Sequence, residues 1–413
     1  MEKNYVEFTA DMKNEYTILV PTMLPMHFRL LLAVLRTYGY KTELLETSGP
    51  EIAEMGLKHV HNDTCYPAIL VIGQFMNALK TGKYDPHKTA LMLFQSGGGC
   101  RASNYISLLR KALKNAGYDY VPVIPFGIAG IEKHSGFELD LKKLHALMYA
   151  VCYGDLLMSL VNQCRPYEKN KGEAQRLADL WTERLGEELG ATKRIRYAAI
   201  KRNYAEIVSD FSKIELARRP AVKVGVVGEI FVKYSPLGNN NLEQFLFDEG
   251  AEVVVPGLLD FCLYTLYNNA NDYKMYKRGT HAAYTLYTYL YKFMCKKKND
   301  MAKAIIKGSD FTPATDFEET VKLSDGYIST GAKMGEGWLL TAEMLELAHM
   351  GVKNIVCTQP FGCLPNHICG KGMMKLIKEK QPDVNIVAID YDAGATRVNQ
   401  INRLKLMLAN AKV

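Results

Sequence analysis

The 413-residue chain lacks several features that would narrow its function at once. No two of its nine cysteines form a Cys-x-x-Cys pair. Local zinc-finger and ferredoxin-type spacings are therefore excluded, and any metal site must be assembled from distant segments. The Gly97-Gly98-Gly99 run is not followed by Gly-Lys-Ser/Thr, so it is not a phosphate-binding P-loop. Gly225-Val226-Val227-Gly228 lacks the third glycine of a dinucleotide fingerprint. The best apolar stretch, Leu147 to Val161, is interrupted by Gly154 and Asp155 and is too short to span a membrane. The opening residues carry Glu2, Glu7 and Asp11 without an apolar segment, unlike a secretory signal. A cytoplasmic location with reduced thiols is the expectation. A strong charge of one sign is also missing: 51 basic and 44 acidic residues leave +7. The densest basic cluster, Lys296-Lys297-Lys298, reads as a solvated helix end, so no nucleic-acid or membrane partner is expected.

What is present is an ordinary globular composition, 48% apolar and 23% charged, which excludes a largely unfolded chain. The N-terminal part alternates strand and helix signals. Strands are expected at Tyr16–Val20, Thr42–Thr47, Thr89–Phe94 and Tyr120–Pro125, and helices at Met26–Tyr38, Tyr66–Lys80 and Ala102–Ala116. Near-continuous apolar strands between helices predict a parallel sheet covered on both faces. Asp140–Val161 and Gly172–Arg218 read as long helical patterns. Strand and helix signals then resume: strands at Val222–Val227, Glu252–Val255, Asn354–Cys357 and Asn385–Ile389, and helices at Leu242–Glu249, Gly337–Met350, His367–Glu379 and Ala395–Ala411. A tyrosine-rich helical stretch runs from Leu258 to about Ile306. The expected architecture is α/β, with two Rossmann-like or flavodoxin-like parallel-sheet domains: an N-terminal domain at 1–137, a helical linker or subdomain at 138–219, and a C-terminal domain at 220–413 with a helical insertion at about 258–306.

In open α/β sheets, ligands gather outside the carboxyl ends of the strands. Cys100 and Cys363 fall there, in Gln95-Ser96-Gly97-Gly98-Gly99-Cys100 and in Gln359-Pro360-Phe361-Gly362-Cys363. Cys65 lies in a polar loop directly before a helix. All three stand at expected helix N-termini, where backbone N–H groups and the helix dipole favour thiolate. Gly97, Gly98 and Gly99 allow the backbone to approach a bulky ligand closely. Thiolates select zinc or iron–sulfur over hard cations. Cys152, Cys262 and Cys295 sit in apolar helical stretches and read as core, and a structural role is favoured for Cys164. Cys357 and Cys369 flank Cys363 and are possible additional ligands. Glu229 and Lys233 follow a strand in a polar run that ends in Asn239-Asn240-Asn241, which marks them as candidates to face a substrate. His367, four residues after Cys363, is a candidate proton donor or a helix cap.

Four segments resemble the 2-hydroxyacyl-CoA dehydratase family: Asn62–Gln74 (NDTCYPAILVIGQ), Gln95–Tyr105 (QSGGGCRASNY), Gly228–Leu246 (GEIFVKYSPLGNNNLEQFL) and Gln359–Gly372 (QPFGCLPNHICGKG). That family includes the D-component of 2-hydroxyglutaryl-CoA dehydratase, benzoyl-CoA reductase subunits and double-cubane cluster proteins. The likeness is greatest to the domain fused in large CoA-substrate-specific enzyme activase proteins. The resemblance implies a low-potential four-iron, four-sulfide (4Fe-4S) cluster held by Cys65, Cys100 and Cys363, close to Gly97, Gly98, Gly99 and Gly362. It implies oxygen-sensitive one-electron chemistry, a dehydration or a reduction, on an acyl-CoA substrate. It also implies a separate ATP-hydrolysing iron–sulfur activator, and assembly as a homodimer or heterodimer. Alternatives within reach are a double-cubane (8Fe-9S) reductase of small molecules, which needs about six thiolates, a cluster-carrying electron-transfer or scaffold subunit, and a zinc-stabilised structural protein.

Overall fold

The computed structural model describes residues 5–126, 132–191, 195–217 and 219–411. Two four-stranded sheets, all parallel, organise the chain. The first holds β1 (Thr17–Pro21), β2 (Lys41–Leu45), β3 (Thr89–Phe94) and β4 (Val123–Phe126) in the order β2-β1-β3-β4. The second holds β5 (Lys223–Gly228), β6 (Glu252–Val254), β7 (Asn354–Pro360) and β8 (Asn385–Tyr391) in the order β6-β5-β7-β8. Both are doubly wound in the Rossmann- and flavodoxin-like manner. Their strand order reverses between β1 and β3 and between β5 and β7, where clefts form at the carboxyl edge. The central strand β7 is buried along its whole length, as a strand covered on both faces must be.

Most expected elements form within a few residues of the sequence reading, and Tyr66–Lys80 and Thr89–Phe94 form with the expected bounds. Helices Pro50–His59 and Phe317–Leu323 were not among the expectations. The Gly172–Arg218 pattern is two helices, Glu173–Ala191 and Tyr197–Phe211; residues 192–194 and Arg218 lie outside the described residues. The Leu258–Ile306 stretch is a hairpin of Leu258–Tyr276 and His281–Gly308. Its turn uses left-handed Lys277 (φ 54°) and Gly279 (φ 92°), and Thr280 caps the second helix by accepting from the Ala283 N–H. The helix expected from His367 is broken into a π-helical turn (Asn366–Gly370), a 3-10 turn and the helix Met374–Lys380. Asn366 accounts for the irregularity. Its side chain donates to the Thr358 carbonyl at 2.7 Å, tying the turn to β7 instead of leaving a regular helix.

The helical segment between the two sheets and the hairpin inserted between β6 and β7 do not pack as separate units. One apolar core joins helix Pro25–Thr37 of the first domain to Leu141–Cys164, Glu173–Ala191, Tyr197–Phe211 and both arms of the hairpin. The stretch judged too short to span a membrane runs as an unbroken helix, Leu141–Cys164, with a mean hydropathy of 1.5 over its most apolar window. That window is 78% buried within the protein. Gly154 and Asp155 interrupt the apolar pattern because other elements dock there. A β-carbon at Gly154 would overlap the His27 ring. Asp155 accepts from the N–H groups of Leu258 (2.8 Å) and Leu259 (2.9 Å) at the hairpin's start, and pairs with His27 at 2.7 Å. The lysine cluster is a second correction. Lys296 is exposed, but Lys297 and Lys298 are buried, Lys297 over the Tyr197 ring and Lys298 paired with Asp260, so two of the three belong to the core instead of a solvated end.

Candidate functional site

The residues with chemical potential collect where the two sheets reverse. Cys100 ends the loop after β3, Glu229 directly follows β5, and Cys363 sits three residues beyond β7. Cys65 arrives by another route, as the cap of helix Tyr66–Lys80, which is apolar on nearly every side and is buried accordingly. The Tyr66 N–H donates to the Phe361 carbonyl at 3.0 Å, fixing that helix end against the Cys363 loop. Gly362 is left-handed (φ 73°), and a β-carbon there would stand 3.0 Å from Cys65 Cα, so glycine is needed for the approach. A third loop, Met334–Gly337, closes the ring. The Gly99 N–H points at Met334 Sδ at 3.1 Å. A β-carbon on Gly335 would lie 3.1 Å from Pro365 and 3.8 Å from Cys100 Sγ.

Cys65 and Cys363 are buried and Cys100 is half-buried. As expected, each sulfur faces a backbone N–H at the start of a turn: Ala68 for Cys65, Ala102 for Cys100 and Asn366 for Cys363. The expectation that this placement yields thiolates does not hold. Burial pushes the Cys100 thiol up to about 11 and the Cys65 and Cys363 thiols upward as well, outweighing the N–H groups; Glu229 and Glu336 push the same way. A coordinating metal would take these protons, because it deprotonates a bound thiol outright.

Two buried carboxyls stand beside the sulfurs. Glu229 caps the short helix Ile230–Tyr234 by accepting from the Val232 N–H at 3.0 Å, and Glu336 accepts from the Ile230 N–H at 2.9 Å. Burial, then the charge of Glu336, pushes Glu229 up to about 8. Glu336 is likewise raised by burial. Glu336 was missed in the sequence reading. Its signal is the flanking Gly335 and Gly337, both at positive φ (58° and 44°), which hold it at the mouth of helix Trp338–His349. Tyr105 was also missed as a site residue: its hydroxyl oxygen is 3.1 Å from Cys65 Sγ.

Other candidates are placed differently. Lys233 is buried, but its Nζ pairs with Glu343 at 2.8 Å, beneath the site. The Gly228–Asn241 run is thus not a polar loop but a buried helical turn, with Asn239 donating to the Val232 carbonyl. His367 is exposed, and no hydrogen bond or ion pair to its ring is found among the described residues. Cys357 lies in the apolar core between β7 and helix Trp338–His349, against Asn366. Cys369 is buried, and its carbonyl accepts from the Thr341 hydroxyl. Cys152, Cys164 and Cys295 lie in the helical core and Cys262 packs against it, as expected. Gly97, Gly98 and Gly99 form an exposed loop; Gly98 is left-handed (φ 76°) and a β-carbon at Gly97 would meet nothing within 4 Å.

Among the described residues, no three His, Cys, Asp or Glu side chains gather closely enough for a single metal ion. A zinc ion needs its sulfurs at about 2.3 Å. In an iron–sulfur cluster each thiolate binds its own iron, so the sulfurs stand further apart. Three converging thiols, N–H groups facing them and the glycine approach at Gly362 fit such a group. No protein-family model matches the chain, and no curated protein matches it.

Proposed function

We propose that the chain is an iron–sulfur protein of the 2-hydroxyacyl-CoA dehydratase type, holding a 4Fe-4S cluster on Cys65, Cys100 and Cys363. The observation that carries this is the meeting of three loops, from distant parts of the sequence, that each present one thiol at the reversal of two parallel sheets. A double cubane, with about six thiolates, is the weaker reading, because Cys357 and Cys369 are committed to the core.

When bound, the cluster supplies low-potential one-electron chemistry and an open iron able to bind a substrate oxygen. The chain's own residues do the rest. Glu229 and Glu336 are buried together, and with Glu229 raised to about 8 the pair retains a proton at neutral pH. A carboxylic acid held neutral beside the reacting oxygen is suited to act as general acid toward a leaving hydroxyl. Lys233 stands below, paired with Glu343, and draws both carboxyls part of the way back toward ionisation. The reading includes an acyl-CoA substrate, an ATP-hydrolysing activator, a second subunit and a cytoplasmic location.

The test is anaerobic purification with iron, acid-labile sulfide and zinc counted per chain. About four irons are expected. Cys65→Ser, Cys100→Ser and Cys363→Ser should each lose most of the iron, while Cys295→Ser should keep it. Equal iron in all four variants removes the ligand assignment. No iron after attempted reconstitution removes the cluster.

A further inference from the structure

The Tyr105 hydroxyl lies 3.1 Å from the sulfur of a proposed ligand, Cys65 Sγ. It is held there from both sides. Tyr105 opens helix Tyr105–Asn115, directly after the 3-10 turn that starts at Cys100, so its backbone is anchored to the loop carrying a second ligand. Cys65 is fixed separately, by the Tyr66 N–H bond to Phe361 and by Gly362 against its Cα. The tyrosine therefore bridges the Cys100 loop and the Cys65 helix through a single polar contact at the sulfur.

We propose that Tyr105 tunes the bound cluster by donating its hydroxyl proton in a hydrogen bond to the Cys65 thiolate, raising the cluster's reduction potential. A ligated thiolate has no proton to give, so the hydroxyl must be the donor. The bond withdraws electron density from the sulfur and stabilises the reduced cluster, which carries one more negative charge. Three other groups influence the same sulfur, the Ala68 N–H, Arg101 and Glu229, and the N–H acts in the same direction as the hydroxyl. Arg101 acts in the same direction as the hydroxyl, whereas Glu229 opposes it by adding negative charge nearby. Among these side chains only the hydroxyl lies within hydrogen-bond distance of it. Tyr105 is thus a positioning and tuning residue, acting through Cys65.

The inference rests on the proposed cluster, so the full chain is first loaded anaerobically and its iron counted. An iron-free wild-type protein defeats the cluster reading and this inference with it. With iron present, the reduction potential is followed by electron paramagnetic resonance during a redox titration. Tyr105→Phe is expected to retain wild-type iron and to shift the potential to a more negative value. A fluorinated tyrosine at position 105, which keeps the ring and is a stronger donor, is expected to shift it the other way. An unchanged potential in Tyr105→Phe overturns the inference while leaving the cluster reading intact. If Tyr105→Phe loses its iron, the fluorinated protein decides: a positive shift supports the bond, and no shift overturns it.

Discussion

At the scale of single residues, the site and its surroundings are dominated by buried acids and bases. Glu346 is buried in helix Trp338–His349, and its Oε2 has no hydrogen-bond partner among the described residues. Burial raises it to about 7, against an attraction to Lys298. The folded protein thus holds that proton more tightly than the unfolded chain, whose glutamate titrates near 4.3. The stability it contributes is complete below that value and is lost as pH rises through about 7. Glu346→Gln should therefore gain stability relative to wild type between pH 4 and pH 8, by about 3–4 kcal/mol. Denaturant midpoints at the two pH values, at equal iron loading, measure it; an advantage independent of pH would mean that Glu346 titrates in the fold as it does in the unfolded chain. Such residues were only partly legible in the sequence. Cys65, Cys100 and Cys363 were legible because loop and helix signals flank them. Glu336 and Glu346 were not, since a glutamate's burial depends on packing that no local pattern encodes. Lys297 and Lys298 were misread for the same reason.

At the scale of elements, the position of Cys65 depends on a helix that the sequence reading did not contain. Pro50–His59 packs backbone to backbone on Tyr66–Lys80 through Gly56 and Gly73. A β-carbon at Gly56 would overlap the Ile69 carbonyl, and one at Gly73 the Ile52 carbonyl. Gly73→Ala should force the two helices apart, at a cost of about 1–3 kcal/mol. Because Cys65 caps the displaced helix, bound iron per chain should fall as well. Thermal melting together with iron analysis tests both; a variant with wild-type iron would show that the helix end is held by the Phe361 loop alone. Strands and long amphipathic helices were readable because their periodicity is local. The short helices and the broken turn at Asn366 were not, because side-chain bonds to distant backbone decide them.

At the scale of the whole molecule, the shared helical core was the least legible feature. Helical periodicity in residues 138–219 said that helices exist, but not that they form a common core with Pro25–Thr37 and the hairpin. The first sheet is therefore expected to depend on that core for its stability. Residues 1–137 expressed alone would leave Leu24, Leu30 and Val34 uncovered. That fragment should fail to give a cooperative melt by circular dichroism, and co-expression with residues 138–413 should restore it. A fragment that folds alone would show that the shared core is dispensable to the first sheet.

The shared core also sets an order of events during synthesis. Helix Leu141–Cys164 leaves the ribosome well before the hairpin Leu258–Tyr276 and His281–Gly308 that covers part of it. At roughly 5–20 residues per second, the interval is about 5–20 s. During that time the nascent chain displays an apolar segment of membrane-spanning length to any insertion machinery it meets. Asp155 near its middle raises the cost of insertion by about 2.5–3.5 kcal/mol. The carboxylate that later receives the hairpin's first N–H groups thus also weighs against insertion before its cover arrives.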